Sequence, residues 1–140
     1  MGLRRKSREL ALQFLFSHDF QEHPGSREAV EAELELFTGI FDVSKKALPY
    51  GRQLILGIAA GVVEIDELLA EHSHNWRLER MSLVDRNILR IAVYEMMHVE
   101  DAPMQVVINE ALEVAKRYSI DNSVPFINGI LDAVQSRVAD

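Results

Sequence analysis

The chain has 140 residues, is 48% hydrophobic and 26% charged, and carries a formal net charge of −7. At that length and apolar fraction one domain with one core is expected, burying roughly 68% of the unfolded chain's surface. There is no cysteine, which excludes a disulfide framework, a thiolate nucleophile and any cysteine-based zinc or iron–sulfur site.

The first helix is expected over about Leu3 to Phe20. Leu12, Phe16 and Phe20 recur every four residues beside Ala11 and Leu15, which predicts one buried side. Residues 1–8 hold Arg4, Arg5, Lys6 and Arg8 and no acid, whereas the rest of the chain holds 11 basic and 22 acidic side chains. A basic arm on an acidic body argues against a whole-surface grip on nucleic acid. It fits a local grip, in which a few cations displace counterions from phosphates, and it fits equally an ordinary solvated N-terminus. Arg8 and Glu9 interrupt any apolar core of a signal peptide.

Pro24-Gly25-Ser26 reads as a turn with Ser26 as helix cap. A helix over about 27–38 follows, with Glu28, Glu31, Glu33 and Glu35 outside and Val30, Leu34 and Phe37 inside. Gly39 is expected to end it. Residues 40–49 read as a loop closed by Pro49.

A long helix over about 50–73 carries the stripe Leu54, Ile58, Val62, Ile65 and Leu69. Its ten-residue apolar run, Leu54 to Val63, is half of the about 20 needed for a membrane span. Gly57 and Gly61 each cost about 1 kcal/mol relative to alanine in a helix, so a close helix approach is expected there. Neither belongs to a nucleotide-binding loop. A short segment with Trp76 and Leu78 comes next.

Ser82, with Asp85 three residues on, marks a helix start. The helix over about 83–98 is apolar on most sides (Val84, Ile88, Leu89, Ile91, Ala92, Val93, Met96, Met97) and is expected to be central. Pro103 opens a helix with Ile108, Ala111, Leu112, Ala115 and Tyr118. A last helix over about 124–138 carries Ile127, Ile130, Leu131, Val134 and Val138 within about 100° of arc. Phe126 falls about 100° from the centre of that stripe, with Asn122 one turn before it. That position fits an edge-of-core aromatic or a stacking platform for an unpaired base beside a polar side chain. Pro125 biases Val124 away from helical geometry and so bears on where this helix starts.

The five histidines have no ligand spacing, and there is no H-E-x-x-H, G-x-S-x-G or phosphate loop. Glu64, Asp66, Glu67 and Glu71 read as a solvated acidic face. These absences lean against an enzyme and against a protein-encoded metal site.

Leu89-Arg-Ile-Ala-Val-Tyr-Glu95, then Pro103, then Val107-Ile-Asn-Glu-Ala-Leu-Glu-Val-Ala-Lys-Arg-Tyr118, then Phe126-Ile-Asn-Gly-Ile-Leu-Asp132 form an ordered series. With Arg4-Arg5-Lys6-Ser7-Arg8-Glu9 and Ala11-Leu-Gln13 at the start, this series resembles the NusB family of bacterial transcription antitermination factors. The resemblance spans nearly the whole chain and is weakest from about 21 to 50. It implies an all-helical fold of about seven helices in two small bundles, forming a single domain over 1–140 with a basic arm at 1–8. It implies binding of boxA, a single-stranded RNA element of nascent ribosomal-RNA transcripts, together with NusE, which is also a small-subunit ribosomal protein. The implied setting is the RNA polymerase antitermination complex in the cytoplasm, with no catalysis, no cofactor and no membrane.

Carried over residue by residue, the RNA contacts fall on Arg4, Arg5, Lys6, Arg8, Gln13, Asn122 and Phe126, and a NusE contact falls on Asp85. Asn109 and Asn128-Gly129 are expected to be structural: a buried amide, and a small residue for close helix approach. Homodimerisation is a further expectation for some members. The alternative is a helical docking domain without its own RNA role, like those fused to ribosomal-RNA cytosine methyltransferases. The chain ends at Asp140 without such a module, which favours a stand-alone factor.

Overall fold

The computed structural model describes residues 2–18, 26–73 and 81–139. The described residues form six helices and no strand: α1 (Leu3–His18), α2 (Arg27–Ile40), α3 (Leu48–His72), α4 (Leu83–His98), α5 (Met104–Tyr118) and α6 (Ser123–Ala139). The all-helical expectation holds among the described residues. The turn at Pro24-Gly25, Phe20, and the segment with Trp76 and Leu78 lie outside the described residues.

The chain divides into two compact units, Met1–Gly61 and Val62–Asp140, in keeping with two small bundles. The boundary falls inside α3, where Gly61 (φ −109°, ψ 17°) leaves helical geometry and kinks the helix.

In the first unit, Ser26 caps α2 by accepting from the Ala29 amide at 3.2 Å. Leu10, Ala11, Leu12, Phe14 and Leu15 of α1 and Val30 and Leu34 of α2 are buried. Phe14 meets Phe37 edge to face at 5.5 Å and stacks on His18, whose Nδ1 donates to Glu33 Oε1 at 2.9 Å. The α1 stripe therefore runs through Phe14 rather than Phe16, which is 39% exposed. A neighbouring helix comes close at Gly51: a Cβ there would stand 3.0 Å from Leu10 Cδ2 and 3.4 Å from the Ser7 carbonyl oxygen. Ser7, buried, donates to the Ala47 carbonyl at 2.7 Å. These two contacts seat the start of α1 against the start of α3.

In the second unit, α4, α5 and α6 pack on one another pairwise. The central position expected of α4 is observed: Ile88, Leu89, Ile91, Ala92, Val93 and Met96 are all buried, together with Asp85, Asn87, Arg90 and Glu95. Buried polar groups need partners. Arg90 donates from Nε and Nη2 to the two oxygens of Asp66 at 2.8 and 2.7 Å, and from Nη1 to Asn87 Oδ1 at 3.2 Å. Asn87 Nδ2 donates to the Leu83 carbonyl at 2.9 Å. Asn87 is thus a fully buried amide. Asn109 is not: it is exposed and accepts from Gln105 Nε2 at 3.1 Å. Asn128 and Gly129 are exposed too, and a Cβ on Gly129 would meet nothing within 4 Å. The expectation of a buried amide at Asn109 and a close approach at Gly129 is corrected accordingly.

Candidate nucleic-acid interface

The residues singled out for RNA fall into two groups, one in each unit. In the first unit the basic run is not a loose arm, because α1 begins at Leu3. A helix N-terminus carries unsatisfied amide groups and about half a positive charge. The first turn holds no acid to offset it. Arg4, Arg5 and Lys6 add cations to that same end. Such an arrangement is unfavourable alone and favourable beside an anion.

The three side chains differ in surroundings. Arg4 lies over the Tyr50 ring at 4.6 Å from its centroid, a cation–π contact that restrains the guanidinium. Arg5 is half-buried and Lys6 is exposed. Arg8 departs from the expectation: it is 5% exposed, so its side chain belongs to the interior and offers a phosphate no surface. Gln13 is exposed seven residues after Lys6, and Phe16 follows three residues later. Seven and ten residues are about two and three helical turns, so Lys6, Gln13 and Phe16 share one solvent-facing strip of α1. Phe16 was assigned to the core by its spacing from Leu12. The adjacent Leu15 and Phe14 fill that side instead.

In the second unit, α5 ends at Tyr118 and α6 starts at Ser123. The connection is tightened by Ser123 N–H to the Ile120 carbonyl at 2.9 Å and Val124 N–H to the Asp121 carbonyl at 3.3 Å. Pro125 lies in the first turn of α6, where its missing N–H has no helical acceptor to lose, and Val124 is helical after all. Asn122 is exposed immediately before the helix, and Phe126 is half-buried one turn on. Ile127, Ile130, Leu131 and Val134 are buried as the helical wheel requires. Lys116 and Arg117, exposed in the last turn of α5, precede this connection. Their charge was legible in sequence, but not that it leads directly into the exposed turn.

Asp85 is 7% exposed. Its Oδ1 accepts from Ser119 Oγ at 2.5 Å and its Oδ2 from Ser123 Oγ at 2.6 Å. The carboxylate that the resemblance offers to NusE is therefore inside the unit, with both oxygens engaged.

A groove among α3, α4 and α6 is lined by Leu68, Met97 and Val138 and by three carboxylates, Glu64, Glu67 and Glu71, against one cation, Arg137, which pairs with Glu71 at 3.9 Å. That acidic excess repels phosphate. No group of three or more histidine, aspartate or glutamate residues is placed to hold a metal ion among the described residues. No described helix is long and apolar enough to cross a membrane.

Comparison with known proteins agrees with these features. The model of the NusB family matches residues 5–136. The transcription antitermination protein NusB of Desulfosudis oleivorans is 44% identical over 138 residues, covering 99% of this chain and 88% of that protein. That of Desulfotalea psychrophila is 44% identical over 137 residues, covering 97% of each. Among solved structures, NusB of T. maritima superposes with a TM-score of 0.79 at 38% identity, covering 95% of this chain and 90% of that one. A chain from a crystal structure of the antitermination factors NusB and NusE in complex with dsRNA superposes with a TM-score of 0.79 at 25% identity, covering 98% of both. Matched along nearly its whole length in sequence and in fold, the chain belongs to the NusB family.

Proposed function

We propose that the protein is a transcription antitermination factor, not an enzyme. It binds boxA-type single-stranded RNA in nascent ribosomal-RNA transcripts, together with NusE, in the cytoplasm where those transcripts are made. The observation that carries this reading is the clustering of Arg4, Arg5 and Lys6 on the positive end of α1 in a chain whose remaining residues are net acidic. Phosphates gain there from both the fixed cations and the helix end. Gln13 and Phe16, on the same strip of α1, supply a base-edge donor and acceptor and a stacking face. Asn122 and Phe126 supply the same pair of chemistries on the second unit. Lys116 and Arg117 add cations just ahead of that turn. The structural relative bound to NusE and RNA, and the antitermination relatives, support the choice of partners.

The test is fluorescence anisotropy with a labelled boxA-type strand. The controls are a scrambled strand of equal length and a duplex, at two salt concentrations, with and without NusE. Selective, salt-dependent binding of the boxA strand that NusE tightens is the expected result. Equal binding to both strands that salt erases would reduce α1 to a non-specific tether. No binding under any condition would leave a docking domain.

A further inference from the structure

We infer that Asp85 is a positioning residue for the RNA-reading turn between α5 and α6, an inference that rests on the RNA role given above to Asn122. Ser119 is the first residue of that connection, and Ser123, the first residue of α6, closes it. Each donates its hydroxyl to a different oxygen of the same carboxylate, at 2.5 and 2.6 Å. Asp85 therefore holds both ends of the turn at one point. The residues between the two serines, Ile120, Asp121 and Asn122, are exposed.

The chemistry explains the residue choice. A carboxylate is acceptor-only and offers two oxygens, so it is suited to gathering two hydroxyl donors that approach from different chain positions. Hydrogen bonds from hydroxyl to carboxylate are about twice as strong as neutral ones. The clamp is itself anchored, since the Asp85 amide donates to Ser82 Oγ at 3.1 Å, which fixes the base of the side chain at the start of α4. A turn held in this way presents Asn122 in one orientation before RNA arrives. The ordering cost at binding is then reduced, and for a few side chains this amounts to about tenfold in affinity.

This differs from a partner contact in what it demands of Asp85. A partner contact needs the charge at the surface and is indifferent to the serines. The clamp needs the two serine hydroxyls and tolerates an amide, because asparagine can accept from one hydroxyl and donate to the other.

The experiment measures affinity for the boxA-type strand and for NusE separately, on the full chain. The variants are Asp85→Asn, Asn122→Ala, the pair Ser119→Ala with Ser123→Ala, and that pair combined with Asn122→Ala. Circular dichroism and thermal melts check each fold. The serine pair is expected to lose about tenfold in RNA affinity with NusE affinity unchanged. Asp85→Asn, which keeps two hydrogen-bonding atoms but loses the charge, is expected to lose less RNA affinity than the serine pair, with NusE affinity unchanged. In the Asn122→Ala background the serine pair is expected to cost nothing further, because the clamp acts through Asn122. Amide exchange at residues 120–122 is expected to speed up in the serine pair while α4 keeps its protection.

A serine pair that binds RNA like the parent, while Asn122→Ala does not, overturns the clamp and leaves the RNA reading standing. An equal loss from the serine pair in both backgrounds also overturns it, as the mark of general destabilisation. An Asn122→Ala protein with parental RNA affinity removes the RNA role of the turn, and the clamp's purpose falls with it.

Discussion

Removing the α1 cations one at a time should change the salt dependence of RNA binding in countable steps. Each phosphate contact to a single strand contributes about 0.7 to the slope of log affinity against log salt. Arg4, Arg5 and Lys6 reach solvent, and Arg8 does not. Three contacts give a slope of about −2 from α1, a loss of about 20-fold between 50 and 200 mM salt. Four would give about −2.8 and about 50-fold. Lys6→Ala should therefore flatten the slope by about 0.7 with no loss of thermal stability, since Lys6 is exposed and alanine is a good helix former. Arg8→Met should lower the melting temperature and leave the slope unchanged. Anisotropy titrations at four or five salt concentrations resolve a difference of this size. If Arg8→Met flattens the slope as Lys6→Ala does, the burial argument for Arg8 is refuted. If neither changes it, Lys6 does not touch phosphate.

Other perturbations test single contacts. Phe126→Ala should weaken boxA binding by about 1–3 kcal/mol if a base stacks there, and unchanged anisotropy would make it a core-edge aromatic only. Gly51→Ala should destabilise the protein by about 1 kcal/mol in a denaturant titration. Its new methyl group would sit 3.0 Å from Leu10 and 3.4 Å from a backbone oxygen, which outweighs the gain in helix propensity. A stabilised Gly51→Ala protein would show that α1 and α3 yield freely. Asp66→Ala should cost about 3 kcal/mol by leaving Arg90 without its bidentate acceptor, and a double replacement of the pair by apolar residues should recover most of that.

What could be read from the sequence was whatever depends on neighbours a few residues away. Leu83–His98 was placed to the residue, because its apolar density and the Ser82 cap are local signals. The Ser26 cap and the α6 stripe were legible for the same reason. The misreadings concern groups whose partners are distant in sequence. Asp85 sits where a capping-box acid would, yet its oxygens go to residues 34 and 38 positions away. Spacing put Phe16 in the core and passed over Phe14, whose place is set by the Phe37 ring on α2. The close approach at Gly51, to Leu10 and the Ser7 carbonyl oxygen, went unread for the same reason. Asn109 looked structural because it is diagnostic of the family, and it proved to be on the surface.

The polar groups buried along α4 have a consequence for how that helix is oriented. A helix apolar on nearly every side can bury itself equally well at many rotations about its own axis. Asp85 must face Ser119 and Ser123, and Arg90 must face Asp66. These two directions lie about 140° apart around the helix. A turn of α4 by one residue, about 100°, would strand a carboxylate and a guanidinium in apolar surroundings at once. Size-conserving changes among Ile88, Leu89, Ile91 and Val93 should thus leave the azimuth of α4 intact. Replacing Asp85 and Arg90 with apolar residues would remove two of the three charged groups buried along it, leaving Glu95. The apolar majority drives α4 into the core, and its few buried polar groups decide which way round it goes in.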